Sequence, residues 1–350
     1  MFGALGFADF DDHEAVHLFH DPQSGLSAII AIHSTALGPA AGGTRFWHYA
    51  DPKAAITDAL RLSRGMSYKN AMAGLPMGGG KAVILSDQFG NKTDQLIRAF
   101  GKRVESLGGA YVTAQDVGMS AADMIAISRE TRHVAGLPVS CGGAGGDPGP
   151  STALGVYLGI KAAAKQISGT DDMTGVHVAI QGLGSVGGGV ARYLAKAGAR
   201  LAIADINHER ALAFAAELGA VAVPADEILS VEADILSPCA LGAILTPASI
   251  AKLRVKAVAG GANNQLATPA DGDLLHERGI VFAPDYVINA GGIINVSLQY
   301  LGEGNAADVE ARVGQIPERL MQIWAQSKAT NTAPARVADA LAKALIGRAV

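Results

Sequence analysis

The chain has 350 residues, 49% of them hydrophobic, 17% charged and 5% aromatic. That is enough apolar material for two buried cores and too much for a disordered chain. A formal net charge of −4 leaves no basic footprint, which argues against a nucleic-acid partner.

Taken from the N-terminus, Asp9, Asp11, Asp12, Glu14 and Asp21 all precede the first basic residue, Arg45. Neither a secretory n-region nor an arginine-rich presequence is therefore expected. Two cysteines, Cys141 and Cys239, cannot form a disulfide framework and fit a reducing, cytoplasmic setting. His13-Glu14-Ala15-Val16-His17 has the H-E-x-x-H pattern of a zinc helix. However, Val16 and Leu18 alternate as in a strand, and a turn follows at Asp21-Pro22. On a strand the two histidines sit about 13 Å apart at roughly 3.3 Å per residue, too far for one zinc. No metal is expected. Pro22–Thr44 is uncharged, but Gly25, Gly38 and Pro39 divide it into short strands and turns, so no membrane span is read there.

Leu26–His33 reads as a strand. Asp51-Pro52 reads as an N-cap with proline at the first helical position. Strands are expected at Val83–Leu85 and Ala110–Ala114, with a helix over Lys92–Leu107 between them. The glycine- and proline-rich stretch Leu137–Pro150 suits a hinge. A helix over Ser151–Ile167 leads into a second alternation, with strands at Val176–Ile180, Arg200–Ala204, Ala220–Val223, Ile235–Leu236, Ala257–Ala259 and Val281–Phe282. Helices fill the intervals, as βαβ units require. The fold class is α/β with two domains, at 1–140 and 141–320. The helical tail, about 320–350, is a candidate to fold back over the first domain.

Gly182-Leu183-Gly184-Ser185-Val186-Gly187 carries the dinucleotide fingerprint, with a strand before it and a helix after it. The glycines permit the turn and close approach to pyrophosphate, which the helix N-terminus favours electrostatically. Asp205, at the end of the next strand, is placed to accept the ribose hydroxyls, and its charge favours NAD over NADP. The competing reading makes Asp205 the N-cap of a helix over Ile206–Leu218. Arg210 is close enough in sequence to bear on that preference. Gly78-Gly79-Gly80-Lys81 looks like a phosphate loop, but Leu75 and Ala82 stand where Walker A needs glycine and Ser or Thr.

Lys69 and Lys81 lie in an apolar, glycine-rich stretch with few polar neighbours. They are either solvated surface charges or cleft groups. A desolvated lysine near another cation loses its proton more readily and can serve as a general base. A lysine that stays charged can hold a carboxylate.

These residues resemble the Leu/Phe/Val branch of the glutamate dehydrogenase superfamily. The similar stretches are Leu37–Arg45, Met66–Asn70, Leu75–Lys81, Asp116–Met119, Gln181–Gly187, Ser237–Gly242, Gly261–Asn264 and Ala283–Gly292. The resemblance implies an N-terminal α/β catalytic and oligomerisation domain, followed by a Rossmann-type NAD-binding domain. It implies reversible oxidative deamination of an apolar L-amino acid to a 2-oxo acid and ammonia, by a homo-oligomer. Lys69 would bind the substrate carboxylate, Lys81 would act as general base on water, and Asp116 would carry a proton to the departing amine. Backbone at Gly42 and Gly43 would orient the substrate. Thr152 and Asn263 would face the nicotinamide, and Asn264 either ligand. Glutamate dehydrogenases carry a lysine where this chain has Ala41, so an apolar side chain is expected in the substrate pocket. Ala41 leaves room for a bulky or aromatic group, whereas Asn289–Val296 resembles the leucine type. The hinge mixes leucine-type and phenylalanine-type versions. Glutamate as substrate, and a catalytically silent NAD-binding oligomer, remain as alternatives.

Overall fold

A computed structural model describes residues 6–138 and 143–349; Val139, Ser140, Cys141 and Gly142 of the expected hinge lie outside them. The chain separates into two compact units. One is Met1–Asp147 with Asn295–Ala306 and Ala342–Val350; the other is Pro148–Ile294 with Ala307–Leu341. Both are α/β.

The first unit begins with β1 (Ala15–Asp21), β2 (Leu26–Ser34) and β3 (Ala40–Trp47). Then come α1 (Pro52–Met72), β4 (Gly78–Leu85), α2 (Asp94–Glu105), β5 (Tyr111–Gln115) and α3 (Ala121–Ser128). The sheet order is β1-β2-β4-β3-β5. β2 runs antiparallel to β1 and β4, while β3 runs parallel to β4 and β5. Asp51 caps α1 by accepting from Lys53 N at 2.9 Å, and Pro52 follows as the sequence predicts.

The two faces of this sheet bury different sets. Ile30, Ala82, Ile84 and Tyr111 pack with Ile97 and Phe100 of α2. Ile29, Ala31 and Val83 pack with Ala55, Ala59 and Leu60 of α1. Gly78–Gly80 is strand rather than loop, and the close approach is to a helix. A Cβ on Gly79 would lie 2.0 Å from the Ser67 backbone nitrogen of α1. Glycine thus lets α1 sit down on β4, next to Lys81.

The second unit contains α4 (Gly149–Ser168), β6 (His177–Gln181), α5 (Ser185–Lys196), β7 (Arg200–Ala204), α6 (His208–Leu218) and β8 (Val221–Ala222). There follow β9 (Ile235–Pro238), α7 (Pro247–Lys252), β10 (Ala257–Val258), α8 (Pro269–Glu277), β11 (Val281–Phe282) and α9 (Asp285–Ile288). The last helices are α10 (Gly291–Leu301), α11 (Ala306–Val313), α12 (Ile316–Thr330) and α13 (Pro334–Leu345). Its sheet is all parallel in the order β11-β10-β9-β6-β7-β8. This is the doubly wound order, with its switch point between β6 and β9. α12 and residues up to Leu341 group with this unit, and Trp324 of α12 donates to the Phe282 carbonyl at 2.8 Å. Ala342–Val350 groups with the first unit.

That last segment brings Arg348 onto β2. Its guanidinium donates to His33 Nε2 at 2.7 Å and to the His33 carbonyl at 2.7 Å. With Nε2 accepting, Nδ1 of the buried His33 donates to Ser67 Oγ at 2.8 Å. His13 is also buried, bonded to Leu60 O and Ser63 Oγ, so it packs behind α1. No cluster of metal-ligating groups occurs among the described residues, nor any helix long and apolar enough to cross a membrane.

Burial, and then the Arg348 guanidinium, pull the His33 pKa from 6.5 to about 3. The unfolded chain therefore takes up this proton near pH 6.5 and the native chain only near 3. Native stability should fall as pH drops through that window, by at most about 1.4 kcal/mol per pH unit from this group. Urea unfolding as a function of pH should show a shallower acid loss in His33→Gln than in the parent. Equal slopes would place the proton uptake elsewhere.

Candidate active site

On the α1 face of the first sheet, side chains from neighbouring strands converge. Lys81 follows the glycine run on β4 and is buried, 6% exposed. Its ammonium contacts the carboxylate of Asp116, the residue after β5. Arg45, paired across from Val83, lies on the same face, with Nε 3.4 Å from Asp116 Oδ2. Arg45 Nη1 donates to Asp58 Oδ2 of α1 at 2.7 Å, and the Tyr49 hydroxyl donates to the same oxygen.

Burial pushes the Lys81 ammonium below the usual lysine range, helped by the Arg45 charge and opposed by Asp116. Burial would raise Asp116, but Lys81 and Arg45 outweigh it and hold the carboxyl below its ordinary value. The result is a buried amine poised to lose its proton beside a carboxylate that stays ionised.

Lys69 is half-buried on the last turn of α1. Asn70, next to it, donates its side-chain amide to the Gly78 carbonyl at 2.5 Å, tying that turn to β4. Ala41 is buried on β3, between Gly79 and Val112. Gly42 and Gly43 follow it: a Cβ on Gly42 would overlap the Gly80 carbonyl, and one on Gly43 would lie 2.8 Å from Asp116 Cβ. The Gly42 carbonyl accepts from the buried Tyr111 hydroxyl at 2.6 Å.

The remaining candidates sit in the second unit, around its switch point. Gly182 follows β6 with φ +87°, and a Cβ on Gly187 would lie 1.9 Å from the Gly182 carbonyl oxygen. Leu183 is buried; Gly184 caps α5 without any side chain, and nothing lies within 4 Å of where its Cβ would be. Uncapped N–H groups of Ser185 and Val186 thus begin a helix facing open space. That arrangement fits the pyrophosphate of a dinucleotide.

Asp205 follows β7 and is 6% exposed at its side chain. Its carboxylate accepts from Leu183 N at 2.7 Å and Asn207 N at 2.8 Å, and pairs with Arg210 at 3.5 Å. It does not cap α6; Asn207 does. Cys239, after β9, accepts from Gly261 N at 3.5 Å, and burial pushes its thiol pKa up, so it packs rather than reacts.

Thr152 lies in the first turn of α4 and donates to the Pro148 carbonyl at 2.8 Å. Asn263 and Asn264 follow β10 and are exposed. Asn289 donates to Asn263 Oδ1 at 2.7 Å and to the Gly261 carbonyl at 3.2 Å. Gly291, two residues on, would have its Cβ 2.0 Å from the Ser151 carbonyl oxygen. The segment Asn289–Gly292 therefore lies against both Asn263 and the start of α4.

Reading the sequence missed Arg45, Asp58, Tyr49 and Asn289 as partners of the site. A signal existed for Arg45, the first cation of the chain at the end of a glycine-rich strand. Asp58 reads as one more exposed helix carboxylate until the strand beside it is known.

Residues 13–133 match the family described as Glu/Leu/Phe/Val dehydrogenase, dimerisation domain, and residues 206–345 match Glutamate/Leucine/Phenylalanine/Valine dehydrogenase. The chain is 47% identical to a leucine dehydrogenase of Geobacillus stearothermophilus, over 95% of this chain and 90% of that one. It is 44% identical to a phenylalanine dehydrogenase of Bacillus thermotolerans, over 92% and 85%. The crystal structure of L-tryptophan dehydrogenase from Nostoc punctiforme superposes with a TM-score of 0.86 at 40% identity, covering 99% of this chain and 98% of that one.

The glycines of the fingerprint make separable predictions. Gly184→Ala should leave thermal unfolding unchanged and weaken dinucleotide binding, because its Cβ enters only open space. Gly187→Ala should lower both, since overpacking costs about 1–3 kcal/mol. Calorimetric titration with a dinucleotide, alongside thermal melts, checks both. Parent-like binding by Gly184→Ala would remove the backbone cradle.

Proposed function

As the chain belongs to the Glu/Leu/Phe/Val dehydrogenase family, we propose that it catalyses the reversible, NAD-dependent oxidative deamination of an apolar L-amino acid. It is an amino-acid dehydrogenase, an oxidoreductase, which sets aside the catalytically silent alternative. The observation that carries the mechanism is the buried Lys81 amine against the Asp116 carboxylate.

When bound, a nicotinamide dinucleotide supplies the acceptor for the hydride on the substrate Cα. Lys69 holds the substrate carboxylate as an ion pair, while backbone at Gly42 and Gly43 fixes its orientation. Lys81, unprotonated, takes a proton from the water that attacks the iminium carbon. Asp116 then delivers a proton to the departing amine, so that ammonia leaves and the 2-oxo acid remains. Thr152 and Asn263 would bound the nicotinamide side, with Asn264 able to face either ligand, and the Gly182–Gly187 turn with Ser185 and Val186 would hold the pyrophosphate. Asp205 accepts from the adenosine ribose and repels a 2′-phosphate, which favours NAD. The match to a dimerisation domain supports a homo-oligomer, and substrate and product are small molecules.

Ala41 decides against glutamate. Bringing a distal carboxylate to a buried alanine costs several kcal/mol with no charge at that position to offset it. The small side chain also leaves volume for a bulky or aromatic substrate. Among leucine, valine and phenylalanine, overlap is expected, because a methylene of mismatch is worth only about 1–3 kcal/mol.

Following reduced-nicotinamide absorbance with NAD or NADP and a panel of amino acids tests the reading; the absence of turnover with every apolar amino acid would overturn it. Lys81→Met should cut kcat by about 10²–10⁴ while NAD still binds. In the parent, the rate should fall as pH drops through the depressed Lys81 pKa, because protonation removes the base. For specificity, Ala41→Leu should shift kcat/KM from phenylalanine towards leucine and valine, and glutamate should remain poor in both. An unchanged ranking would mean that Ala41 does not line the side-chain pocket.

A further inference from the structure

Lys81 and Asp116 pose a problem when the base is in its working form. Once Lys81 gives up its proton, the partly buried Asp116 carboxylate loses the cation in contact with it. A carboxylate in that setting takes up a proton itself unless another positive charge remains nearby. A guanidinium is such a charge, since it does not deprotonate in proteins.

Arg45 is placed for this. Its Nε is buried, makes no hydrogen bond and lies 3.4 Å from Asp116 Oδ2. The other end of the guanidinium is anchored, with Nη1 at 2.7 Å from Asp58 Oδ2. Asp58 is fixed in turn by the Tyr49 hydroxyl, and the Tyr49 pKa is pushed up by burial and by that carboxylate. The four ionisable groups alternate in sign: Asp58, Arg45, Asp116, Lys81. Around this row, α1 also contributes Lys69, and Lys92 donates to the Gly118 carbonyl at 2.7 Å beyond Asp116. Arg45, Asp58 and Tyr49 line an open cleft of about 520 Å³ together with Trp47, Lys53 and Arg61.

We propose that Arg45 is a positioning residue for Asp116, the permanent counter-ion that keeps this carboxylate ionised and aimed at Lys81, with Asp58 holding Arg45 in place. The proposal rests on the reading of Lys81 as base and Asp116 as proton carrier. It accounts for the orphaned Nε: a small rotation brings that N–H onto Asp116 as the Lys81 contact loosens. Both electrostatic consequences have the same sign. Without Arg45, the Asp116 pKa rises, and the Lys81 pKa rises as well because a neighbouring cation is gone.

The test is the acid limb of the kcat/KM profile for amino-acid oxidation, measured in the full-length enzyme with NAD. Arg45→Met should move that limb to higher pH by about one unit, roughly a tenfold loss on the acid side, with partial recovery at high pH. Arg45→Lys, which keeps the charge, should leave the limb near that of the parent. Asp58→Asn keeps an oxygen acceptor for Arg45 Nη1 but removes an anion, so it should move the limb the other way, to lower pH, whether or not Arg45→Met folds. A merely structural role predicts a lower plateau and a lower melting temperature with the limb unmoved. An unmoved limb in Arg45→Met, or a shift in the same direction in Asp58→Asn, overturns the proposal. Lys81→Met and Asp116→Asn run beside them: if both are crippled and the Arg45 limb is unmoved, only this proposal fails. If both retain parental rates, the assignment of base and proton carrier fails, and this proposal falls with it.

Discussion

A lysine buried in the middle of a sheet is the constraint around which the first unit is organised. Taking an ammonium out of water costs several kcal/mol unless an opposite charge accompanies it. Lys81 is 6% exposed, and the fold answers with Asp116 in contact and Arg45 and Asp58 behind it. The same burial makes the amine useful, because the pressure that disfavours its charge lowers its pKa. Stability and reactivity therefore draw on one interaction with opposite preferences. The protonated pair suits the fold, and the neutral amine suits base chemistry.

Strand geometry delivers these groups. β3 and β5 pair in parallel with Thr44 opposite Gln115, so Arg45 and Asp116 emerge at neighbouring positions. β4 joins β3 in parallel and puts Lys81 on the face covered by α1. Gly79 removes the side chain that would hold α1 off that face, while Gly80 makes room for Tyr111 on the other. At Gly79 a methyl group would meet Ser67 at 2.0 Å, so helix and lysine can share one layer.

The second unit presents backbone N–H groups at the uncapped start of α5, with no charged side chain in its first turn. The parallel order places the carboxyl ends of β6 and β9 at the switch point. There the tight turn at Gly182 and the uncapped start of α5 present backbone N–H groups. Asp205 is committed to the turn as well, through Leu183 N and Asn207 N. A carboxylate can accept more bonds than these two, so a structural role for Asp205 and a ribose role are compatible.

The sequence by itself determined what depends on local rules. Asp51-Pro52 opens a helix, β7 spans Arg200–Ala204, and β11 spans Val281–Phe282, as the pattern of caps and apolar runs requires. The glycine fingerprint and the two lysines in their apolar stretch can be picked out of the sequence for the same reason: each stands out against its immediate neighbours. Other features were not. Gly78–Gly80 reads as a loop because glycine disfavours strands, yet pairing on both sides and packing by α1 overrule that preference. α3 and β3 were not anticipated, since an eight-residue helix and a glycine-containing strand carry little periodic signal. Above all, only the tertiary structure decided which charges meet. Lys81 and Asp116 are 35 residues apart in the chain, and Arg45 touches both Asp58 and Asp116 because α1, β3 and β5 share one face. Electrostatic coupling follows distance through space and the loss of surrounding water, and neither quantity is encoded in the spacing of residues along the chain.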